Sequence, residues 1–211
     1  MIRPHSTREK ILDSAEQLFA EKGFSGTSLR AITSRAGVNL AAINYHFRSK
    51  DALMQAVFER RLDPVNRERL EVLDALEAGT NPVPIEKLIE AFVRPVLRLR
   101  REPNQPAASF LRLLGRMYVD PGDHIGDIFR GQIMHVAARF LAAFRRTLST
   151  VPQEDFFWRV HFLIGAVSHT MAGAFHLQLI SNGQCDLSDV EGTIARLVAF
   201  TAAGMKAGIE P

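Results

Sequence analysis

The sequence predicts an all-α protein of nine helices, three short ones in a small N-terminal unit and six longer ones in a C-terminal body. Three observations predict it. Apolar residues recur at three- and four-residue spacings through most of the chain, with no strand-like alternation and no internal repeat. Gly, Pro and Asn fall between the periodic stretches, where they stop and start helices. Hydrophobic residues make up 46% of 211 residues, enough for a packed core in a small domain joined to a larger one.

Ser6 or Thr7 caps the first helix, whose Ile11, Leu12, Ala15, Leu18 and Phe19 share one face, and Gly23 ends it as a left-handed cap. Thr27 or Ser28 caps a short second helix with Leu29, Ile32 and Ala36 inward. Gly37-Val38-Asn39 is a tight turn, and Asn39 caps a third helix to about Phe47. Ser49 opens a fourth helix to about Leu76, interrupted at Pro64. Residues 79–84 form a linker, and Pro84 fits the first turn of the fifth helix. Pro103 and Pro106 precede the sixth helix (107–119), and Pro121-Gly122 precedes the seventh (about 125–148). Pro152 starts an eighth helix to about Ser181, and Ser188 caps a ninth to about Ala207. The domains are expected at 1–50, with the start of the connecting fourth helix, and 51–211.

Bulk chemistry narrows the function. The N-terminus is polar, unlike a signal peptide, and the longest apolar candidate, 156–180, is broken by Arg159, His161, His169 and His176. A cytoplasmic location is expected. Cys185 is the single cysteine, which excludes an internal disulfide and a multi-cysteine zinc site. Residues 1–50 carry eight Lys/Arg against four Asp/Glu, whereas the other 161 carry eighteen against nineteen. The positive charge sits in the small unit, as a polyanion partner requires.

Two short helices joined by a Gly-containing turn form a helix-turn-helix pattern, in which the second enters the major groove. Ile43 and Phe47 anchor the third helix inward, leaving Leu40, Ala41, Ala42, Asn44 and Tyr45 to face out. Small alanines allow close approach to bases, and Asn44 suits an adenine edge. Tyr45, His46 and Lys50, with the Thr27 and Ser28 hydroxyls, lie where phosphates would pass, and Thr33 and Arg35 project from the same lobe. Singly, Tyr45 and His46 also fit ordinary half-buried side chains, and Thr27 and Ser28 fit caps.

Residues 24–51, FSGTSLRAITSRAGVNLAAINYHFRSKD, closely resemble the signature of the TetR family of regulators. The shared features are Gly26-Thr27-Ser28 leading into the second helix, Ala36-Gly37-Val38 at the turn, and Tyr45, Phe47 and Lys50 closing the third. The likeness covers about 6–62. It implies that family's nine-helix fold, dimerisation through the last two helices and a ligand cavity in the C-terminal domain. It further implies phosphate-clamping roles for Tyr45 and Lys50 and base contacts from Asn39 to Asn44. SFLRLLGRMY (109–118) and EDFFWRVHFLIGAVSHTMAG (154–173) resemble a subgroup of fatty-acid-responsive repressors; Arg48 departs from the small residue expected there.

In the larger domain, Trp158, Phe162 and His169 on the eighth helix, Phe110, Leu114 and Met117 on the sixth, and Ile133 on the seventh are expected to wall an apolar pocket. Taken residue by residue, ordinary core is the stronger reading, and the pocket comes from the resemblance. Arg112 and Arg116, one turn apart, suit a carboxylate or phosphate head group, though solvated ion pairs are the commoner use of such residues. His161, His169 and His176 are spaced too widely for a compact metal site, so neither a metal nor a cofactor is expected. Ile164, Ser168, Met171 and Phe175, with Ile194, Leu197, Val198 and Thr201, are expected to form a four-helix seam between two copies, the alternative being packing within one chain.

These features predict a ligand-responsive regulator, most simply a repressor, that binds a palindromic operator as a homodimer. A fatty acid, an acyl-CoA or another hydrophobic small molecule would be the effector, with helix four transmitting its entry and Pro64 as a possible bend. The competing readings are a helical interaction module and a small enzyme. No G-x-S-x-G, phosphate loop or HExxH favours the enzyme.

Overall fold

The computed structural model describes residues 6–79, 82–101, 105–119, 123–173, 175–185 and 188–208, and among these there is no strand. The helices run α1 (Thr7–Lys22), α2 (Leu29–Ala36), α3 (Leu40–His46), α4 (Lys50–Gly79), α5 (Ile85–Arg98), α6 (Gln105–Val119), α7 (Asp123–Thr147), α8 (Gln153–Ala172), α9 (Phe175–Ile180) and α10 (Val190–Lys206). A 3-10 turn, Leu99–Arg101, extends α5.

Polar side chains start the N-terminal helices. Ser6 accepts from the Glu9 amide, Ser28 from Ala31, Asn39 from Ala42 and Ser49 from Ala52, each satisfying a donor the helix leaves open. Gly37 ends α2 in the left-handed region at φ 65° and ψ 36°, which a glycine adopts without strain. Gly23 also has positive φ, but its ψ of 174° is extended rather than left-handed helical, correcting the expected cap geometry.

Ile11, Leu12, Ala15, Leu18 and Phe19 of α1 are buried against Ile32, Ile43 and Phe47, the intended inward faces of α2 and α3. Leu29 and Ala36 pack against this cluster at its edge. The cluster continues without a break through α4 and α5 into the larger body, so head and body share one core.

Three expected boundaries move. The eighth predicted helix is two: α8 stops at Gly173, whose φ of 140° is open to glycine but rarely to other residues, and α9 follows. That makes ten α-helices among the described residues rather than nine. Asp189 rather than Ser188 caps α10, accepting from the Gly192 amide. Pro64 lies inside α4, which runs through it for 30 residues, and Pro95 likewise lies inside α5.

In the body α6 packs on α8 and α1, α7 packs on α4 and α5, and α10 packs on α5 and α8. The α6–α8 contact is tight because Gly115 has no side chain: a Cβ there would lie 2.8 Å from the Ser168 carbonyl oxygen and 2.9 Å from the Ala172 nitrogen.

Candidate functional site

The helix-turn-helix is built from the back. Ile43 and Phe47 are buried, which turns Leu40, Ala41, Asn44 and Tyr45 to solvent; Tyr45 is 84% exposed and sets its ring edge-on to His46 at 4.9 Å. Ala42 and His46 are half-buried beside them. Asn39 uses its side-chain oxygen as the α3 cap, leaving its amide nitrogen available.

The flanking candidates divide. Ser28 is exposed at the α2 N-terminus, and Lys50 is half-buried at the α4 N-terminus with Nζ 4.1 Å from the centre of the Phe24 ring. Burial lowers the Lys50 pKa from its ordinary value. Arg35 forms a two-pronged pair with Glu21 at 3.1 Å on both arms, which holds that exposed carboxylate below its usual range.

Thr27 and Thr33 are placed otherwise than expected. Thr27 is buried, and its hydroxyl donates to the carbonyls of Leu18 (3.0 Å) and Gly23 (2.7 Å), tying the α1–α2 loop to α1. The Thr33 hydroxyl, also buried, donates to the Arg30 carbonyl. Neither is open to a phosphate in this conformation. Gly26 explains the neighbouring motif position, since a Cβ there would lie 2.4 Å from the Lys22 carbonyl oxygen.

An ion cluster fastens the head to α4. Glu16, fully buried, accepts from Arg60 Nη2 at 2.5 Å and from Arg61 Nε and Nη2 at 3.0 Å each. Arg60 Nη1 also reaches Asp13 (2.8 Å) and Glu9 (3.2 Å). One face of α1 is thereby clamped to one turn of α4, just before Pro64. The sequence reading missed this cluster, although Glu9, Asp13 and Glu16 recur at helical spacing.

In the body, Phe110 and Leu114 are fully buried, with Phe110 edge-on to Phe58 at 6.0 Å, and Met117 and Ile133 are half-buried at the margin. Trp158 (54% exposed) and Phe162 (63%) do not join them. They stack on each other at 5.8 Å on the outer face of α8, turned away from α6. His169 is exposed too, beside His176 in a groove of about 690 Å³ between α8, α9 and α10. Arg112 is exposed and donates to the Ser109 hydroxyl. The side chains of Arg116 and Phe175 lie outside the described residues.

Most residues of the expected seam are covered within the chain. Ser168, Met171, Ile194, Leu197 and Thr201 are buried within the single chain, and Ile164 and Val198 are half-buried against its core. Within the chain α10 packs on α5, and α8 packs on α6. The outward faces instead carry Phe157, Trp158 and Phe162 on α8 and Phe200, 76% exposed, on α10. A Cβ added at Gly165 or Gly204 would meet nothing within 4 Å. Both helices are apolar on two sides, and periodicity cannot tell which side the chain covers itself.

One further group was missed. Arg69 of α4, 3% exposed, donates from Nε to the Phe92 carbonyl (2.7 Å) and from Nη1 to Asn66 Oδ1 (3.2 Å), with its guanidinium 4.3 Å from the Phe92 ring centre. It also shares a hydrogen bond with the Tyr118 hydroxyl of α6. Burial lowers the Arg69 pKa and raises that of Tyr118. The signal lay in α4, where Arg69 occupies an inward position of the series Leu62, Val65, Arg69, Leu73.

A small helical head presenting an exposed second helix, clamped to a helical body, defines the helix-turn-helix class of DNA-binding folds. Residues 11–57 match the family described as bacterial regulatory proteins, tetR family, and residues 90–204 match that described as tetracyclin repressor-like, C-terminal domain. The chain belongs to the TetR family. It is 54% identical over 50 residues to YttP of Bacillus subtilis, described as an HTH-type transcriptional regulator, a stretch that is 24% of either chain. It is 31% identical over 91 residues to the HTH-type transcriptional repressor KstR2 of Mycolicibacterium smegmatis, 43% of this chain and 42% of that one. The chain thus spans less than half the length of these curated relatives.

Among solved structures, SmeT in complex with triclosan superposes with a TM-score of 0.65 at 22% identity, covering 98% of this chain and 95% of that one. A Clostridium perfringens protein described as a regulator of fatty acid metabolism does so with a TM-score of 0.62 at 16% identity, covering 96% and 99%. At these identities the likeness is one of fold. The matching families consist of regulators rather than enzymes, and among the described residues no helix is long and apolar enough to cross a membrane.

Proposed function

We propose that this chain is a ligand-responsive transcriptional repressor that binds a palindromic operator as a homodimer. The observation that carries the DNA half is α3 itself: Leu40, Ala41, Asn44 and Tyr45 are exposed while Ile43 and Phe47 are buried, so a reading face is held rigidly from behind. Tyr45, His46, Ser28 and Lys50 flank it as phosphate contacts, and Asn39, Leu40, Ala41, Ala42 and Asn44 supply base contacts. The homodimer is supported by Phe157, Trp158, Phe162 and Phe200, a set of large apolar side chains on the outward faces of α8 and α10. Two heads so joined would address half-sites about 34–36 Å apart. Effector entry between the body helices would move α4, and the Glu16 clamp would carry the head with it as one piece. KstR2 is named a repressor, SmeT holds triclosan and the Clostridium protein is assigned to fatty acid metabolism; these favour repression by release of an apolar effector, a fatty acid or acyl-CoA among the candidates.

The test is a gel-shift titration across a series of salt concentrations. Tyr45→Ala and Lys50→Ala are expected to weaken binding to all duplexes at least about tenfold, with Lys50→Ala reducing the salt slope by about one unit. Operator affinity unchanged by both substitutions contradicts the proposed reading head.

A further inference from the structure

Among the described residues two charged side chains are buried, Glu16 and Arg69. Glu16 meets two guanidiniums. Other cations of the body that make ion pairs do so where water reaches them: Arg94 with Glu90 and Glu191, Arg139 with Asp74 and Glu77, Arg146 with Glu77, and Lys206 with Glu86. Arg69 is enclosed far more completely, yet its partners are a carbonyl, an amide oxygen and a phenol, all formally neutral. No carboxylate among the described residues pairs with it. A buried charge without a counter-charge is expensive, and proteins retain one where a ligand or a function supplies the missing sign. Three neutral acceptors also leave donors over on a group that carries five N–H.

Among the described residues α6 packs on α1 and α8, α7 packs on α4 and α5, and α6 and α7 make little contact with each other. Arg69 faces Tyr118 of α6, while its neighbour Asn66 donates to the Gln132 carbonyl of α7 at 3.1 Å. The guanidinium therefore lies between α4 and α6, one turn from the point where α4 is tied to α7, and Met117 next to Tyr118 and Ile133 next to Gln132 are apolar and half-buried.

We propose that Arg69 anchors the carboxylate of an otherwise apolar ligand seated between α6 and α7, with the Tyr118 hydroxyl beside the head group. The proposal deepens the effector-binding reading above and rests on it. A carboxylate suits the site better than a phosphate monoester, because one guanidinium balances one negative charge and a near-dianion would leave charge buried. Arg112, the head-group candidate chosen from spacing, is exposed and lacks this enclosure.

The experiment is calorimetric titration of the full chain with dodecanoate, dodecan-1-ol and dodecyl phosphate. The parent protein is expected to bind dodecanoate at least about tenfold more tightly than the alcohol, the step a charged hydrogen bond supplies, and more tightly than the phosphate. In Arg69→Met the preference over the alcohol collapses to about twofold or less, with alcohol affinity retained. Equal affinities for acid and alcohol in the parent, tighter binding of the phosphate, or a preference that survives Arg69→Met would overturn the anchor. Should Arg69→Met fail to fold, carboxyl-13C dodecanoate on the parent decides. Its bound resonance is expected to stay at the ionised position to lower pH than the free acid, and titration like the free acid overturns the proposal. Operator release separates the two readings. Dodecanoate that binds with the stated preference yet leaves the operator complex intact supports the anchor and sinks the regulatory reading. Release by dodecan-1-ol as effective as by dodecanoate keeps the regulator and overturns the anchor.

Discussion

Among the described residues the helix-turn-helix head and the helical body each bury one charge, and they treat it in opposite ways. Glu16 in the head is met by Arg60 and Arg61, with Arg60 shared by Asp13 and Glu9. Among the described residues, Arg69 in the body is met by neutral oxygens. The first arrangement balances its buried charge within the chain and locks α1 to α4. The second leaves a positive centre on the same helix two turns further on, beyond Pro64. Under the proposed function, a signal that began by filling the body and ended by moving the head would need both: a site that something outside the chain completes, and a joint that does not give.

The comparison can be broken at either end. Glu16→Ala takes the buried carboxylate from two half-buried guanidiniums, and removing one member of a buried pair costs about 3–5 kcal/mol. Urea denaturation should record a loss of that size; a loss below about 1 kcal/mol would mean that the clamp is ornamental. Next in size is the pair Phe162→Glu and Phe200→Glu, which places charge on the outward faces of α8 and α10. Sedimentation should show at least about a hundredfold weaker self-association, about 2.7 kcal/mol, with the monomer fold retained. An unaltered dimer would move the interface elsewhere. Gly115→Ala pushes a methyl into the α8 backbone and should lower stability by about 1–3 kcal/mol. A neutral result there would show that α6 and α8 can part freely. Smallest is Arg69→Met without ligand, expected within about 1 kcal/mol of the parent, because a charge lacking a counter-charge contributes little to the empty fold. A loss near that of Glu16→Ala would make Arg69 a second structural clamp and erase the contrast.

The head was legible because each local signal there has one outlet. Ser6, Ser28, Asn39 and Ser49 cap where a short polar side chain before an apolar run should, and Ile43 and Phe47 define an inside that leaves only one outside for α3. Thr27 shows the limit: a hydroxyl beside a helix N-terminus looks available in sequence, whereas two carbonyls of the preceding turn had already engaged it. In the body the same periodicity is ambiguous. α8 and α10 are apolar on two faces, so Trp158 and Phe162 were assigned to the inside and Met171 and Ile194 to a seam, whereas the chain exposes the first two and buries the others. Which face is covered depends on where α5 and α6 pack, a long-range fact without a local signature. The split of α8 from α9 at Gly173 escaped for a related reason, since a single glycine within an apolar run does not announce a break. Arg69 was visible only as a charge out of place on a stripe.

The central claim is that α3 lies in the major groove and is offered twice by a symmetric pair of chains. It is tested most directly by hydroxyl-radical footprinting of DNA upstream of the protein's own gene, with sedimentation of the complex at the same salt concentration. The account predicts an inverted-repeat footprint whose half-site centres lie about 34–36 Å apart, occupied by an even number of chains. A single chain per site, or protection of random duplex at the same concentration, would contradict it.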